Sequence, residues 1–235
     1  MGTIDLNFTG EFFVPGKSGE RIEADHMERY KFASQFVKGK RVLDIACGSG
    51  YAAPFFEEAG AVSYQGVDIN QTAVDYSNQT YGSETISYSV GDIASFNNGL
   101  KYDVITCFET IEHIENYEKA IENLYRLLDK GGLLLISSPF RPVASPNATG
   151  LHDKPSNKFH TQEFIPEELS HLLKIYGFSV NEDSVYGQRQ RKSNKLIRKI
   201  SSKIFGNPNK KSSPVVSKIP AGMIPIYFLV LATKD

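Results

Sequence analysis

Residues 42–51 read VLDIACGSGY. An apolar run with one carboxylate, Asp44, inside it has the composition of a strand buried on both faces, and the glycines that follow mark an abrupt turn. Gly48 and Gly50 carry no Cβ, so the backbone there can pass close to a ligand. In open parallel sheets, ligands settle beyond the carboxyl ends of the strands where the strand order reverses, which is the place of this loop if its strand is the first of the sheet.

Outward from that strand the chain alternates. Short apolar strands at 41–46, 62–68, 86–90, 102–108 and 132–138 are separated by helical patterns at 23–37, 50–59, 71–79 and 116–129. A helix at 166–177, a strand over FSVNEDSVYG (178–187) and a last apolar strand at 224–233 complete seven strands. Strands in alternation with amphipathic helices predict a doubly wound α/β sheet with helices on both faces. A length of 235 residues fits one domain, 1–235, within which the polar stretch 138–164 is an unusually long loop.

Hydrophobic residues make up 40% and charged residues 23%, which argues against wholesale disorder. No apolar run reaches the roughly 18 residues of a membrane span, and MGTIDLNFTGEF lacks the layout of a signal peptide, so a cytoplasmic location is expected. Cys47 and Cys107 lie at the ends of different strands and read as reduced packing thiols.

Charge is unevenly spread. Residues 1–184 hold 15 of the 26 Lys and Arg but 26 of the 27 acids, whereas the last 51 residues hold 11 basic residues against Asp235 alone. Most of that excess sits in a basic insertion, 188–222, ahead of the last strand, where Leu196, Ile197, Ile200 and Ile204 share one helical face. A basic amphipathic stretch at 189–211 can lie on anionic membrane, engage the phosphates of a lipid-linked substrate, pack against a homodimer partner, or be a solvated excursion. Nucleic acid is not an expected partner, because the acidic remainder would repel its backbone.

The loop differs from a dinucleotide fingerprint: the third glycine of G-x-G-x-x-G is missing, and Asp44 beside a pyrophosphate would be repulsive. An NAD-dependent dehydrogenase is thereby disfavoured, and a ligand with a positive end is favoured. VLDIACGSGY resembles motif I of the class I S-adenosylmethionine-dependent methyltransferases, with Ala46 where many members carry a glycine. Companion motifs follow at strand ends: GVDIN at 66–70, GDI at 91–93 and YDVITCFETIEHIEN at 102–116.

The resemblance implies a Rossmann-like, mostly parallel seven-stranded sheet with its last strand antiparallel, and S-adenosyl-L-methionine as cofactor. It also implies cofactor-binding roles for Asp44, Ala46, Cys47, Gly48, Gly50, Asp68, Ile69, Asn70, Asp92, Ile93 and Glu109, while the rings of Tyr30, Tyr51 and Phe108 could face the sulfonium as cation-π partners or simply pack against it. Asp68 would grip the ribose hydroxyls, Ile69 cover the adenine, and Asp92 and Ile93 meet its edge, with residues 1–37 lying over the site. Asp68 and Asp92 could instead simply cap the turns that follow them.

Methyl transfer to a hydroxyl benefits from a base, for which His113, His152 and His160 are candidates. TGEFFVPG, SNKFHTQEF and VYGQR together resemble a bacterial subgroup associated with glycan and nucleotide-sugar pathways, which implies an acceptor loop at 138–164 with Asn157, His160 and Gln162 facing a sugar. ETIEHIEN also resembles quinone-pathway enzymes, so a quinone-like or other small metabolite is the alternative small-molecule acceptor, and a cofactor-binding protein without turnover the non-enzyme one. Glu109, Glu112 and Asp153 form no tight carboxylate cluster in the sequence, so no metal is expected.

Overall fold

The computed structural model describes residues 4, 6, 13, 14, 16–192 and 212–235. Helix α1 (Glu20–Ala33) leads through a 3-10 turn into strand β1 (Arg41–Ile45). The alternation then runs α2 (Ala53–Glu58), β2 (Ser63–Asp68), α3 (Gln71–Tyr81), β3 (Ile86–Val90), β4 (Tyr102–Cys107), α4 (Tyr117–Leu127) and β5 (Leu128–Pro139). Beyond it lie α5 (Arg141–Ala144), α6 (Pro166–Ile175), β6 (Phe178–Ser179), β7 (Val185–Gln188), β8 (Arg191–Lys192), β9 (Ser217–Lys218), β10 (Met223–Ile224) and β11 (Tyr227–Lys234).

The main sheet follows the order β3-β2-β1-β4-β5-β11-β7-β9, with β6 also paired to β11. Its first five strands are parallel, and β11 runs antiparallel to both β5 and β7. The expected doubly wound sheet with an antiparallel last strand is therefore present, with nine strands among the described residues rather than seven. One reason is that 178–187 is not a single strand: the polar run Asn181–Ser184 folds into a 3-10 turn, closed by the Ser184 N–H on the Asn181 carbonyl, and separates β6 from β7. Another is the edge strand β9, which lies inside the predicted insertion. The last stretch is also divided, because Pro225, between β10 and β11, has no N–H to offer a ladder.

Period-two alternation sorts β1 between two cores. Leu43 and Ile45 join Ile121, Leu124 and Leu127 of α4 on one face, and Val42 joins Tyr30, Ala33 and Phe56 on the other. The i, i+3, i+4 spacing of Ala120, Ile121, Leu124 and Leu127 explains why 117–127 is a helix with one wholly buried side. Asp44 shares the face of Val42, which directs its carboxylate under α1 rather than towards the glycine loop.

Of the basic insertion, residues 188–192 and 212–222 are described, and both ends are tied together. The Arg189 N–H donates to the Ser213 carbonyl (3.2 Å), Arg189 Nη1 to the Ser212 carbonyl (2.6 Å) and Gln188 Nε2 to the Pro214 carbonyl (2.7 Å). The apolar face from Leu196 to Ile204, and with it the core of the membrane, lipid and dimer expectations for 189–211, lies outside the described residues. Among the described residues no helix is long and apolar enough to cross a membrane.

Candidate active site

A cavity of about 430 Å³ opens where β1, β2, β3 and β4 end. From the β1 turn it takes Ala46, Cys47 and Gly48, and from the β2 turn Asp68, Ile69 and Asn70. Asp92 and Ile93 line it beyond β3, and Phe108 and Glu109 beyond β4. Tyr30 of α1, Tyr51 and His113 complete the sequence-predicted residues on its wall. Phe13, Ile22 and His26 also line it, which places Phe13 and one side of α1 on the cavity wall.

The turns are held by their own acids. Asp68 accepts the Gly48 N–H at 2.8 Å through Oδ2 and the Asn70 N–H at 2.9 Å through Oδ1, coupling the first two strand ends. Asn70 caps α3 by accepting the Ala73 N–H (3.1 Å), and Asp92 accepts the Ala94 N–H (2.7 Å), so capping and cavity lining coincide in these residues. Ile69 is 73% exposed at the rim, an apolar side chain with room for a flat ligand against it.

Gly50, buried like the rest of the turn, is absent from the cavity wall. At φ +73°, a Cβ there would meet Ser77 Oγ at 2.5 Å and Tyr88 Cε1 at 2.7 Å, so this glycine serves the packing of the turn on α3 and β3. Ala46 adopts φ +58°, in the left-handed region that costs an L-residue about 1–2 kcal/mol. Glycine at 46 would relieve that strain but enlarge the unfolded ensemble. Ala46→Gly is therefore expected to stabilise the fold by about 0.5 kcal/mol, read as a small rise in the denaturation midpoint.

Asp44 corrects the expectation of a direct ligand contact. It is fully buried, does not line the cavity, and its oxygens are engaged by Tyr30 Oη (3.1 Å), Tyr64 Oη (2.8 Å) and Thr106 Oγ1 (2.6 Å). It acts on the cavity through Tyr30, which does line it. Burial pushes the Asp44 carboxyl up to about 6 against the pull of the three hydroxyls. Between pH ~4 and ~6 the native state then binds more protons at Asp44 than the unfolded chain, so this group makes stability fall as pH rises through that window, by about 3 kcal/mol. Asp44→Asn is expected to remove that fall; denaturant unfolding of both proteins at pH 4.5 and 7.5 measures it.

Burial also raises the thiols of Cys47 and Cys107, keeping both in the unreactive SH form expected of packing residues. His26 is held neutral by burial and, secondarily, by the nearby Arg29, and it shares a 2.8 Å hydrogen bond with Tyr51 Oη. Glu109 sits at φ +51° on the cavity wall, with Oε1 accepting from Ser137 Oγ (2.7 Å) and standing 3.9 Å from Arg29 Nη1.

The long loop divides its predicted residues. His160 packs edge-on against His113, ring centroids 4.8 Å apart, with Nδ1 2.7 Å from Glu163 Oε1. Asn157 lies beside His160, its Nδ2 2.9 Å from His160 Nε2. Gln162 is off the wall of this cavity: its Nε2 donates to the carbonyls of Ile111 (2.6 Å) and Ile114 (3.1 Å), bracketing the turn that carries His113. His152 is also misplaced as a base for this cavity, since it lines a separate depression with Glu115 to Glu118. A turn in which Asp153 Oδ2 accepts from the Thr149 and Gly150 N–H groups holds that part of the loop.

The family model described as "Methyltransferase domain" matches residues 20–182. A Mycolicibacterium smegmatis protein called a probable S-adenosylmethionine-dependent methyltransferase is 31% identical over 179 residues, 75% of this chain and 67% of that protein. For a Mycobacterium tuberculosis protein of the same description the covered share is 61% of its length. Ubiquinone biosynthesis O-methyltransferase of Coxiella burnetii is 31% identical over 115 residues, 47% of this chain and 49% of that one. Among solved structures, magnesium protoporphyrin IX methyltransferase of Synechocystis with bound SAH shares the fold at a TM-score of 0.56 and 18% identity, covering 92% of this chain and 83% of that one.

Proposed function

The chain belongs to the S-adenosylmethionine-dependent methyltransferases, and on that premise we propose that it methylates a hydroxyl group of a small acceptor, a sugar or nucleotide-linked sugar. When bound, S-adenosylmethionine supplies an electrophilic methyl group on a sulfonium sulfur. The residues present suit it: Asp68 offers a carboxylate in the cavity, Gly48 a bare backbone, and Ile69 an uncovered apolar face. Asp68 would hold the ribose hydroxyls and Asp92 with Ile93 the adenine edge, while Tyr30, Cys47 and Gly48 would border the amino-acid end. Phe13, Ile22 and His26 on the wall would help to exclude water from a bound ligand.

The observation that carries hydroxyl chemistry is the imidazole pair at the cavity edge. A hydroxyl must be ionised as it is methylated, whereas a neutral amine needs less help. His113 lines the cavity, and His160, backed by Glu163, packs against it, so we place the ionisation of the acceptor there. The polar loop segment SNKFHTQEF beside this pair favours a sugar. The second reading is a phenolic or quinone-like acceptor, favoured by the likeness to the Coxiella burnetii ubiquinone O-methyltransferase and by Ile22 and Ile114 on the wall. Release of S-adenosylhomocysteine across a panel of nucleotide sugars, phenols and amines tests both. Turnover with nucleotide sugars supports the first reading, turnover with phenols alone replaces it by the second, and turnover with amines alone overturns both.

A further inference from the structure

One carboxylate oxygen of Glu112 and one ring nitrogen each of His113 and His160 lie within 4.8 Å of one another. Glu112 is 1% exposed, and its Oε2 has no hydrogen-bond partner. An orphaned buried carboxylate oxygen is costly unless a proton or a cation compensates it.

Both imidazoles are oriented from behind. His113 Nδ1 is 3.1 Å from the Phe159 carbonyl oxygen, which can only accept, so Nδ1 carries the hydrogen and Nε2 the lone pair. His160 Nδ1 faces Glu163 Oε1 at 2.7 Å, which again leaves the lone pair on Nε2, where the Asn157 amide donates at 2.9 Å. A carbonyl or carboxylate that fixes the tautomer from the far nitrogen is the support that metal-bound histidines have.

We infer that Glu112, His113 and His160 hold a divalent transition-metal ion of the zinc class. Two imidazoles and one carboxylate suit zinc, cobalt or manganese better than magnesium, which prefers oxygen ligands. Metal–ligand bonds of about 2.0–2.2 Å need donor atoms roughly 3–3.5 Å apart, so the three groups would close by about an ångström. Rotation of the Glu112 carboxyl and displacement of the Asn157 amide, which already presents a donor to His160, would allow it. Three protein ligands leave a coordination position open. Since His113 lines the cavity, that position adjoins the acceptor.

This inference rests on the hydroxyl-acceptor reading for its role: a hydroxyl bound to such an ion is acidified and gives its proton to water, and the imidazoles then act through the ion rather than as bases. It reverses the expectation of no metal, which weighed carboxylates alone. Of those, Asp153 is turned away onto Thr149 and Gly150, and the missing ligands are the two histidines.

The test is calorimetric titration of chelator-stripped full-length protein with zinc and manganese chlorides, magnesium chloride serving as control, with bound metal counted by elemental analysis. One equivalent of zinc is expected in the micromolar range or tighter, and Glu112→Gln and His160→Ala should each weaken it at least about tenfold while S-adenosylmethionine affinity stays within about threefold. Cobalt loading gives an independent readout, a visible absorption band that changes in His160→Ala. Absence of stoichiometric zinc binding overturns the inference, as does a Glu112→Gln protein that binds zinc as tightly as the parent. Metal binding is measured without an acceptor, so its failure leaves the O-methylation reading standing. Conversely, a zinc-loaded protein that methylates no hydroxyl overturns that reading and not the site.

Discussion

Replacing Asp68 with alanine is expected to weaken S-adenosylmethionine binding by about two to four orders of magnitude, because the proposed ribose contact would lose two charge-assisted hydrogen bonds of about 1.5–3 kcal/mol each. A second loss adds to the first. Asp68 also holds the Gly48 N–H at 2.8 Å and the Asn70 N–H at 2.9 Å, so its removal loosens the two turns that shape the cavity. Asp68→Asn keeps an acceptor oxygen but not the charge, and should fall between the two proteins. Calorimetric titration with S-adenosylmethionine or its demethylated product measures both variants without any acceptor. Affinity unchanged in Asp68→Ala would remove Asp68 from the proposed ribose contact.

Arg29→Ala is expected to destabilise the fold by about 3–5 kcal/mol, among the largest effects of any single truncation in this chain. Arg29 is 1% exposed, donates to Gln188 Oε1 at 2.6 Å, stands 3.9 Å from Glu109 Oε1 and lies 5.2 Å from the centre of the Tyr227 ring. Truncation leaves Glu109 without its counter-charge, strips Gln188 of a donor and opens a void under α1. Arg29→Met refills the void alone and should recover only part of the loss. Denaturant unfolding reads the difference as a shift in midpoint, and for a chain of this size the thermal midpoint should drop by about 10 °C in Arg29→Ala. A loss under about 1 kcal/mol would show that Glu109 and Gln188 find other partners.

These two residues mark how far the sequence can be read. Asp68 was legible because it stands at the end of a strand and immediately before a helix. Local spacing carries that information. Arg29 was not, because its partner Gln188 is 159 positions away and a basic residue in an amphipathic helix looks like any solvated one. The misreading of Asp44 has the same origin: position in the strand located it, but only the register with Tyr64 and Thr106 and the lie of α1 over Tyr30 show that three hydroxyls surround it. That Gln162 and His152 lie off the main cavity was illegible for a related reason, since the turns that aim each residue of a long loop are set by contacts with Ile111, Ile114 and Thr149 rather than by periodicity. His26 and Phe13 were not singled out because no local spacing sets them apart from the other aromatic and polar residues of the segment expected to lie over the site, although Phe13 falls within TGEFFVPG.

The staple at Arg189 has an evolutionary consequence. Because the Arg189 main chain and side chain hold Ser213 and Ser212, and Gln188 holds Pro214, the chain leaves the sheet and returns to it at the same point. Closing a longer excursion from such a point costs only about 0.6 kcal/mol for each doubling of its length. A change in the number of residues between Lys192 and Ser212 is therefore expected to leave the pairing of β7 with β11 unaltered. The protein thus carries a socket at which descendants of one enzyme can acquire new attachments without renegotiating the fold.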